Sequence, residues 1–186
     1  MAAQEQTKLL ELRPRVPMGA FHGLGYVCVL GAAEGLRTAG VDAGIGWPFA
    51  VVDAGSLRLL AQLRVRAGYD EGMYATCEVT FADDVPEAEK DALLAGIRQR
   101  VDAWEADVIA GRGAAGPVAP VLEDYFDAVP LVGRRVAVRY PNGNLMATAT
   151  FAGMDVWGRA TLRLDDGREL ELAPEQGRIE SAEDVR

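Results

Sequence analysis

The stretch GIGWPFAVVD, residues 44 to 53, decides how the rest of the chain is read. It is an apolar run bounded by glycines and closed by one acid, the composition of a buried strand, so residues 43 to 53 are expected to form one. Trp47 and Pro48 stand in its middle, although proline cannot donate to a ladder. On this reading Trp47-Pro48 packs the strand into a sheet, in the manner of a ligand-binding motif stripped of its polar groups.

The flanking sequence surrounds that strand with helix and more strand. Upstream, Phe21, Leu24, Val27, Cys28, Leu30 and Leu36 recur at three- and four-residue spacing, which predicts a helix from Gly19 to Ala39 with one buried face and Gly40 as its stop. The small residues Gly23, Gly25, Gly31, Ala32 and Ala33 imply close packing of that helix on a sheet. Before it, QTKLLEL (residues 6 to 12) reads as a first strand halted by Pro14 and Pro17. Downstream, Leu57 to Arg66 and Met73 to Ala82 read as strands, and the alternation Leu63, Arg64, Val65, Arg66 turns the arginines to water. A second helix of about 25 residues starts near Asp84, with Pro86 in its first turn and Leu93, Leu94, Ile97, Val101, Trp104 and Val108 as its repeat.

GRGAAGPVAP, residues 111 to 120, is the most linker-like stretch, and residues 121 to 128 have room only for a short helix. From Leu131 the pattern changes to short strands parted by tight turns, with Asn142-Gly143 and Asp166-Gly167 as hairpin signals because both turn residues tolerate positive φ. Five such strands predict a small SH3-like barrel.

The net charge of −9, from 28 acids against 19 Lys and Arg, argues against a nucleic-acid or anionic-membrane partner. Cys28 and Cys77 form no CxxC pair, and one histidine makes no His-based metal site, so both cysteines read as reduced core residues and no metal is expected. MAAQEQTKLLEL has no basic-then-apolar leader, and no apolar run nears the roughly 20 residues that span a bilayer, so a cytoplasmic protein is expected.

Two segments then carry a family resemblance. Residues 131 to 177, LVGRRVAVRYPNGNLMATATFAGMDVWGRATLRLDDGRELELAPEQG, are similar to the C-terminal domain of the biotin protein ligases in the opening LGR-V-V, the mid-strand G-A-GID-G-L and the closing DG hairpin. AAEGLRTAGVDAGIGWPFAVVD, residues 32 to 53, resembles the helix and strand that lead into the ligase Lys-Trp-Pro-Asn-Asp motif. The resemblance implies an α+β fold: a truncated biotin/lipoate ligase-like domain with a mixed sheet at 1–115, a linker and short helix at 116–130, and an SH3-like domain at 131–186. It also implies a chemistry, attachment of biotin to a carrier-protein lysine through an acyl-adenylate made from ATP.

Most of the motif residues that the resemblance points to are replaced. The family's Gly-Arg-Gly-Arg-x-Gly-Arg loop, expected upstream of QTKLLEL, has no counterpart in the sequence. Trp47 and Pro48 match, but Gly46 stands for the lysine and Phe49 and Ala50 stand for Asn and Asp. Against Arg-Lys-Val-Ala-Gly-Ile-Leu, residues 58 to 64 keep Ala61 but place Leu59 at the lysine and Gln62 at the glycine. Gly-x-Gly-x-Asn becomes Thr76, Cys77, Glu78, Val79, Thr80. Joining a carboxylate to a phosphate brings anions together, so replacing the lysines removes the cations that catalysis relies on.

The resemblance therefore implies no catalytic residue and a vestigial, small or closed cleft, with Trp47, Pro48 and Ala61 as its remaining ligand-facing residues and Phe49, Ala50 and Leu59 as its lining. Three functions stay open: an inactive ligase homologue acting as a binding or regulatory module, without cofactor; a subunit of a split biotin or lipoate ligase that takes biotin and ATP when another chain completes it; or a peptide groove at Tyr140, Phe151 and Trp157. Expected partners are a second copy, a ligase half or a carrier protein, met through an exposed sheet edge. His22 lacks the neighbours of a general base, and Glu34 reads as either solvated or turned into the old cleft.

Overall fold

The computed structural model describes residues 6 to 182; residues 1–5 and 183–186, at the outer ends of the two expected domains, lie outside the described residues. The elements in chain order are β1 (Thr7–Leu12), a 3-10 segment (Met18–Gly23), α1 (Leu24–Thr38), β2 (Ala43–Gly46), β3 (Ala50–Asp53), β4 (Leu59–Tyr69), β5 (Met73–Phe81), α2 (Glu87–Ile109), a 3-10 turn (Ala119–Val121) and α3 (Leu122–Asp127). Five strands follow, β6 (Arg135–Arg139), β7 (Leu145–Met154), β8 (Ala160–Leu164), β9 (Glu169–Leu172) and β10 (Arg178–Ser181). The fold is α+β, with sheets ordered β1-β5-β4-β3-β2 and β10-β6-β7-β8-β9.

Every pairing in the first sheet is antiparallel, which corrects the expected mixed sheet. The reason is connection length: β2 to β5 follow one another through short turns, and a parallel neighbour needs a crossover of a dozen residues or more. Residues 43 to 53 are likewise two strands and not one. β2 and β3 pair from Ala43↔Asp53 to Gly46↔Ala50, and Trp47, Pro48 and Phe49 make the tip of the hairpin, with a cis Trp47-Pro48 bond. Proline suits a tip because no ladder bond is asked of its nitrogen.

α1 is buried along most of its length, between the sheet and α2. It packs on the sheet as expected, and its small residues also meet α2, the hairpin tip and the segment before α3. A Cβ on Gly31 would lie 2.6 Å from the Gly96 carbonyl of α2, one on Gly25 would lie 2.9 Å from the Phe49 ring, and one on Gly23 would lie 2.1 Å from the Pro117 carbonyl. The glycines thus allow backbone-to-backbone approach of the two helices.

The C-terminal strands are five, as expected, with β6 to β9 parted where the turns predict. Gly143 and Gly167 take φ of 88° and 83°, as their hairpins require. β10 joins the β6 edge, and β9 ends the opposite edge without pairing to β10 among the described residues, so the sheet is open where a closed barrel was expected. Both edge strands are four residues long.

One apolar core runs through both sheets and the segment between them, where Val118, Val121, Tyr125, Ala128 and Val129 are buried. The glycine-rich stretch therefore ends against the protein and not in a solvated tether: Val118 N–H donates to the Val156 carbonyl (3.0 Å) and Ile45 N–H to that of Ala128 (2.8 Å), which covers the outer side of β2. The other edge of that sheet is β1, ending beside Arg13. No helix among the described residues is long and apolar enough to cross a membrane.

Candidate functional site

The β2–β3 tip, the approach to β4 and the strand β10 enclose a cavity of about 460 Å³. Gly46, Trp47, Pro48, Phe49 and Ala50 come from the tip, Leu57, Leu59 and Gln62 from β4 and the turn before it, and Gly177, Arg178, Ile179 and Glu180 from the second sheet. The residues aligned to the two lysine-bearing motifs thus converge. Ala61 does not join them: it is fully buried in the core, beside Val51 and Phe81 on the neighbouring strands. A register shift at Val51/Val52 sets which β4 residues face the cavity. Thr76 and Glu78 border a different hollow with Arg64 and Arg66, and Cys77 is a buried free thiol.

The cleft is open and not closed. Its volume lies in the range of roughly 300–1,000 Å³ usual for small-molecule sites.

The hairpin tip is held at several points. Trp47 is 3% exposed, and its indole N–H donates to the Gly158 carbonyl at 3.2 Å, the oxygen that the Tyr26 hydroxyl also reaches at 2.9 Å. The Tyr125 hydroxyl donates to the Pro48 carbonyl (2.7 Å), and the Phe49 carbonyl accepts from Leu63 N–H (2.9 Å) and the Gln62 amide (3.0 Å). Tyr26 meets Phe49 and Tyr125 edge to face, at 5.0 and 5.3 Å. Burial pushes both phenols above their ordinary pKa, with the charges of Asp155 and Glu175 adding to the effect at Tyr26. Tyr26 and Tyr125 carry no motif that marks them in the sequence, whereas Gly158 lies in the stretch that resembles G-A-GID-G-L; the available signal for the tyrosines was a phenol on an apolar helix stripe, which needs a partner once buried.

The other wall is shaped by an Asp53 turn. Ser56 donates to the Asp53 carboxylate from its N–H (2.8 Å) and its hydroxyl (2.7 Å), and these bonds hold that carboxyl below its usual pKa. Leu57 follows with φ of 61°, a conformation rare outside glycine, fixed by its N–H on the Asp53 carbonyl (2.8 Å). Leu59 remains 46% exposed. Among the described residues the charged groups on the cavity wall are Arg178 and Glu180, paired at 2.8 Å, and Glu180 is also bound by Arg139 at 2.7 Å.

The remaining sequence candidates lie elsewhere. His22 borders a second hollow of about 490 Å³, with no Ser, Cys or acid on its lining. Glu34 pairs with Arg100 (3.3 Å) between α1 and α2, away from the cleft; burial raises its pKa against the pull of Arg100. Phe151 is core, and the exposed Tyr140 and Trp157 stand before and after β7, at opposite ends of that strand. No group of three or more His, Cys, Asp or Glu among the described residues could hold a metal.

No protein-family model and no curated protein sequence matches the chain. Solved structures do. The apo biotin protein ligase of Aquifex aeolicus aligns with a TM-score of 0.66 at 12% identity, over 95% of this chain and 82% of that one. The same ligase in complex with biotin and ATP gives 0.65 at 12% identity, over 95% and 78%. A biotin protein ligase-like protein of unknown function from a Silicibacter species gives 0.60 at 17% identity, over 91% and 78%. At these identities the likeness is one of architecture: the chain has the fold of the biotin protein ligases.

Proposed function

We propose that this protein is a catalytically inactive chain of biotin protein ligase fold that acts as a binding or regulatory module, its C-terminal sheet serving as the SH3-like part. One observation carries the reading: the cleft holds Gly46 and Leu59 at the positions that resemble the two ligase lysines, and the one cation on its wall among the described residues, Arg178, is paired with Glu180. Adenylate formation must stabilise charge on a carboxylate and a triphosphate together, and each preorganised cation or N–H donor is worth on the order of 10² to 10³ in rate. A charge-assisted hydrogen bond contributes about 1.5–3 kcal/mol, so a cleft without both lysines holds an anionic ligand some two to four orders of magnitude more weakly.

Calorimetry with biotin, lipoate and ATP, followed by a pyrophosphate-release assay, tests this. The expected result is no tight binding and no adenylation; sub-micromolar binding or pyrophosphate release by the chain alone would reverse it. A second reading, the split ligase, is favoured by the outer edge of β1, with which no described strand pairs. A partner strand on that edge would also make a homodimer. Light scattering at high micromolar concentration reads this out, and a strict monomer that stays monomeric in native extract removes it.

A further inference from the structure

We infer that β1 pairs with β1 of a second copy of this chain, antiparallel and centred on Leu9, so that two five-stranded sheets join into one. The open edge is thereby committed to one occupant in one register, independently of whether the cleft is catalytic.

The parity of the ladder decides which backbone groups that edge offers. Phe81 N–H donates to the Gln6 carbonyl at 2.9 Å, one step beyond the Thr7↔Thr80 pair and in register with it. Hydrogen-bonded pairs alternate along an antiparallel ladder, so Lys8, Leu10 and Leu12 also face β5. Thr7, Leu9 and Glu11 therefore turn their N–H and C=O groups outward, where no hydrogen-bond partner meets them among the described residues. The other strands keep the same parity: Ala82 N–H reaches the Leu60 carbonyl and Leu63 N–H that of Phe49, both at 2.9 Å and both in register. At the far edge the outward N–H of Ile45 is already taken by Ala128.

The three outward residues match a copy of themselves. With Leu9 opposite Leu9, Thr7 lies opposite Glu11 of the second copy, and every outward group of one strand meets one of the other. Leu9 is 65% exposed on the face opposite the buried Leu10 and Leu12, and at the dyad it meets its own copy and leaves water. The Thr7 hydroxyl stands across from the Glu11 carboxylate, a donor against an acceptor. Sliding the copies one way sets Leu9 opposite Glu11 and then Glu11 opposite Glu11, bringing like charges together. Sliding them the other way carries Glu11 beyond the Thr7–Leu12 strand of the other copy.

The devices that keep sheet edges apart are missing from β1. Neither a proline nor a bulge interrupts its register. Its lysine, Lys8, belongs to the face of Leu10 and Leu12 and pairs with Glu87 at 3.1 Å, while the Glu11 carboxylate is neutralised by Arg13 at 2.6 Å.

Sedimentation equilibrium on the whole chain is expected to show reversible dimers in the micromolar to high micromolar range. Leu9→Pro is the discriminating variant: it deletes an outward N–H at the dyad and no bond to β5, and an edge strand tolerates proline where its N–H faces solvent. It should weaken the dimer about tenfold or more, with the circular dichroism of the monomer unchanged. Leu9→Lys sets two like charges opposite each other at an exposed position and should act in the same direction without altering the backbone. Cysteines read the register. Cys28 and Cys77 are buried, so under oxidised glutathione Leu9→Cys should link the two copies, whereas Thr7→Cys, which has Glu11 opposite it, should not. A chain that stays monomeric across that range would overturn the inference, as would a dimer indifferent to both Leu9 variants or linked as readily through Thr7→Cys. A monomer captured by a different protein in native extract would assign the edge to another strand and overturn it as well. Pyrophosphate release, measured on the same preparation, reads the non-catalytic conclusion separately, since adenylation defeats that conclusion and leaves the oligomeric state to be judged alone.

Discussion

The indole N–H of Trp47, at the tip of a hairpin in the first sheet, donates to the carbonyl oxygen of Gly158 in a turn of the second, 3.2 Å away. Tyr26 adds a second bond to that oxygen at 2.9 Å, so a single carbonyl joins α1, the cleft wall and the C-terminal sheet.

Gly158 is expected to tolerate no side chain. Its φ is 87°, and a Cβ would fall 2.1 Å from the Tyr26 ring. Left-handed backbone costs about 1–2 kcal/mol and overpacking about 1–3, so Gly158→Ala should lose on the order of 3 kcal/mol in urea unfolding. Tyr26→Phe should lose about 1 kcal/mol, because the carbonyl keeps its bond from Trp47. Both should lower the midpoint with little change in slope.

Gly96→Ala in α2 should reverse the usual sign. Alanine in a helix interior gains roughly 1 kcal/mol over glycine. Here the new Cβ would stand 2.2 Å from the Gly31 carbonyl and push the helices apart, for a loss on the order of 2 kcal/mol. Gly72, with open space around its Cβ position, is the control, and Gly72→Ala should stay within about 0.5 kcal/mol of the wild type.

Asp155 should give the C-terminal sheet an acid-sensitive turn. Burial pushes its pKa up, but N–H donors from Trp157 and Arg159 (both 2.9 Å) and the Arg159 guanidinium (2.8 Å) outweigh this, leaving it below the ordinary 3.8. A depressed carboxyl stabilises the fold above its unfolded pKa, and the contribution is lost as pH falls through the folded value. The stability gap between wild type and Asp155→Asn should therefore be widest above about pH 4 and close at lower pH. A gap independent of pH would show that the charge contributes nothing.

Thermal unfolding should be a single transition. The buried residues of both sheets and of 116–130 form one cluster, so neither sheet has a separate core to melt on its own. Two resolved calorimetric peaks would contradict this.

What could be read from the sequence was what local spacing controls. Leu93, Ile97, Val101 and Trp104 are buried as their helical repeat requires, and the Asn142-Gly143 and Asp166-Gly167 turns close hairpins. The tip at Trp47 stayed hidden because its residues are apolar, Trp47 is buried, and its carbonyls are satisfied by tertiary bonds from Tyr125 and Gln62. The side taken by Ala61 depends on the shift at Val51/Val52, and the fit of Gly31 to Gly96 joins residues that no periodicity relates. The cleft residues were found through motif positions; the openness of the cleft was not, since it depends on where β10 returns along the second sheet.

Phe49 borders both the cleft of about 460 Å³ and the His22 hollow of about 490 Å³, with its ring lodged against Gly25 and Tyr26. One side chain is therefore a partition wall between two compartments. Truncating it would remove the ring that both hollows share while leaving in place the carbonyl that Leu63 and Gln62 hold.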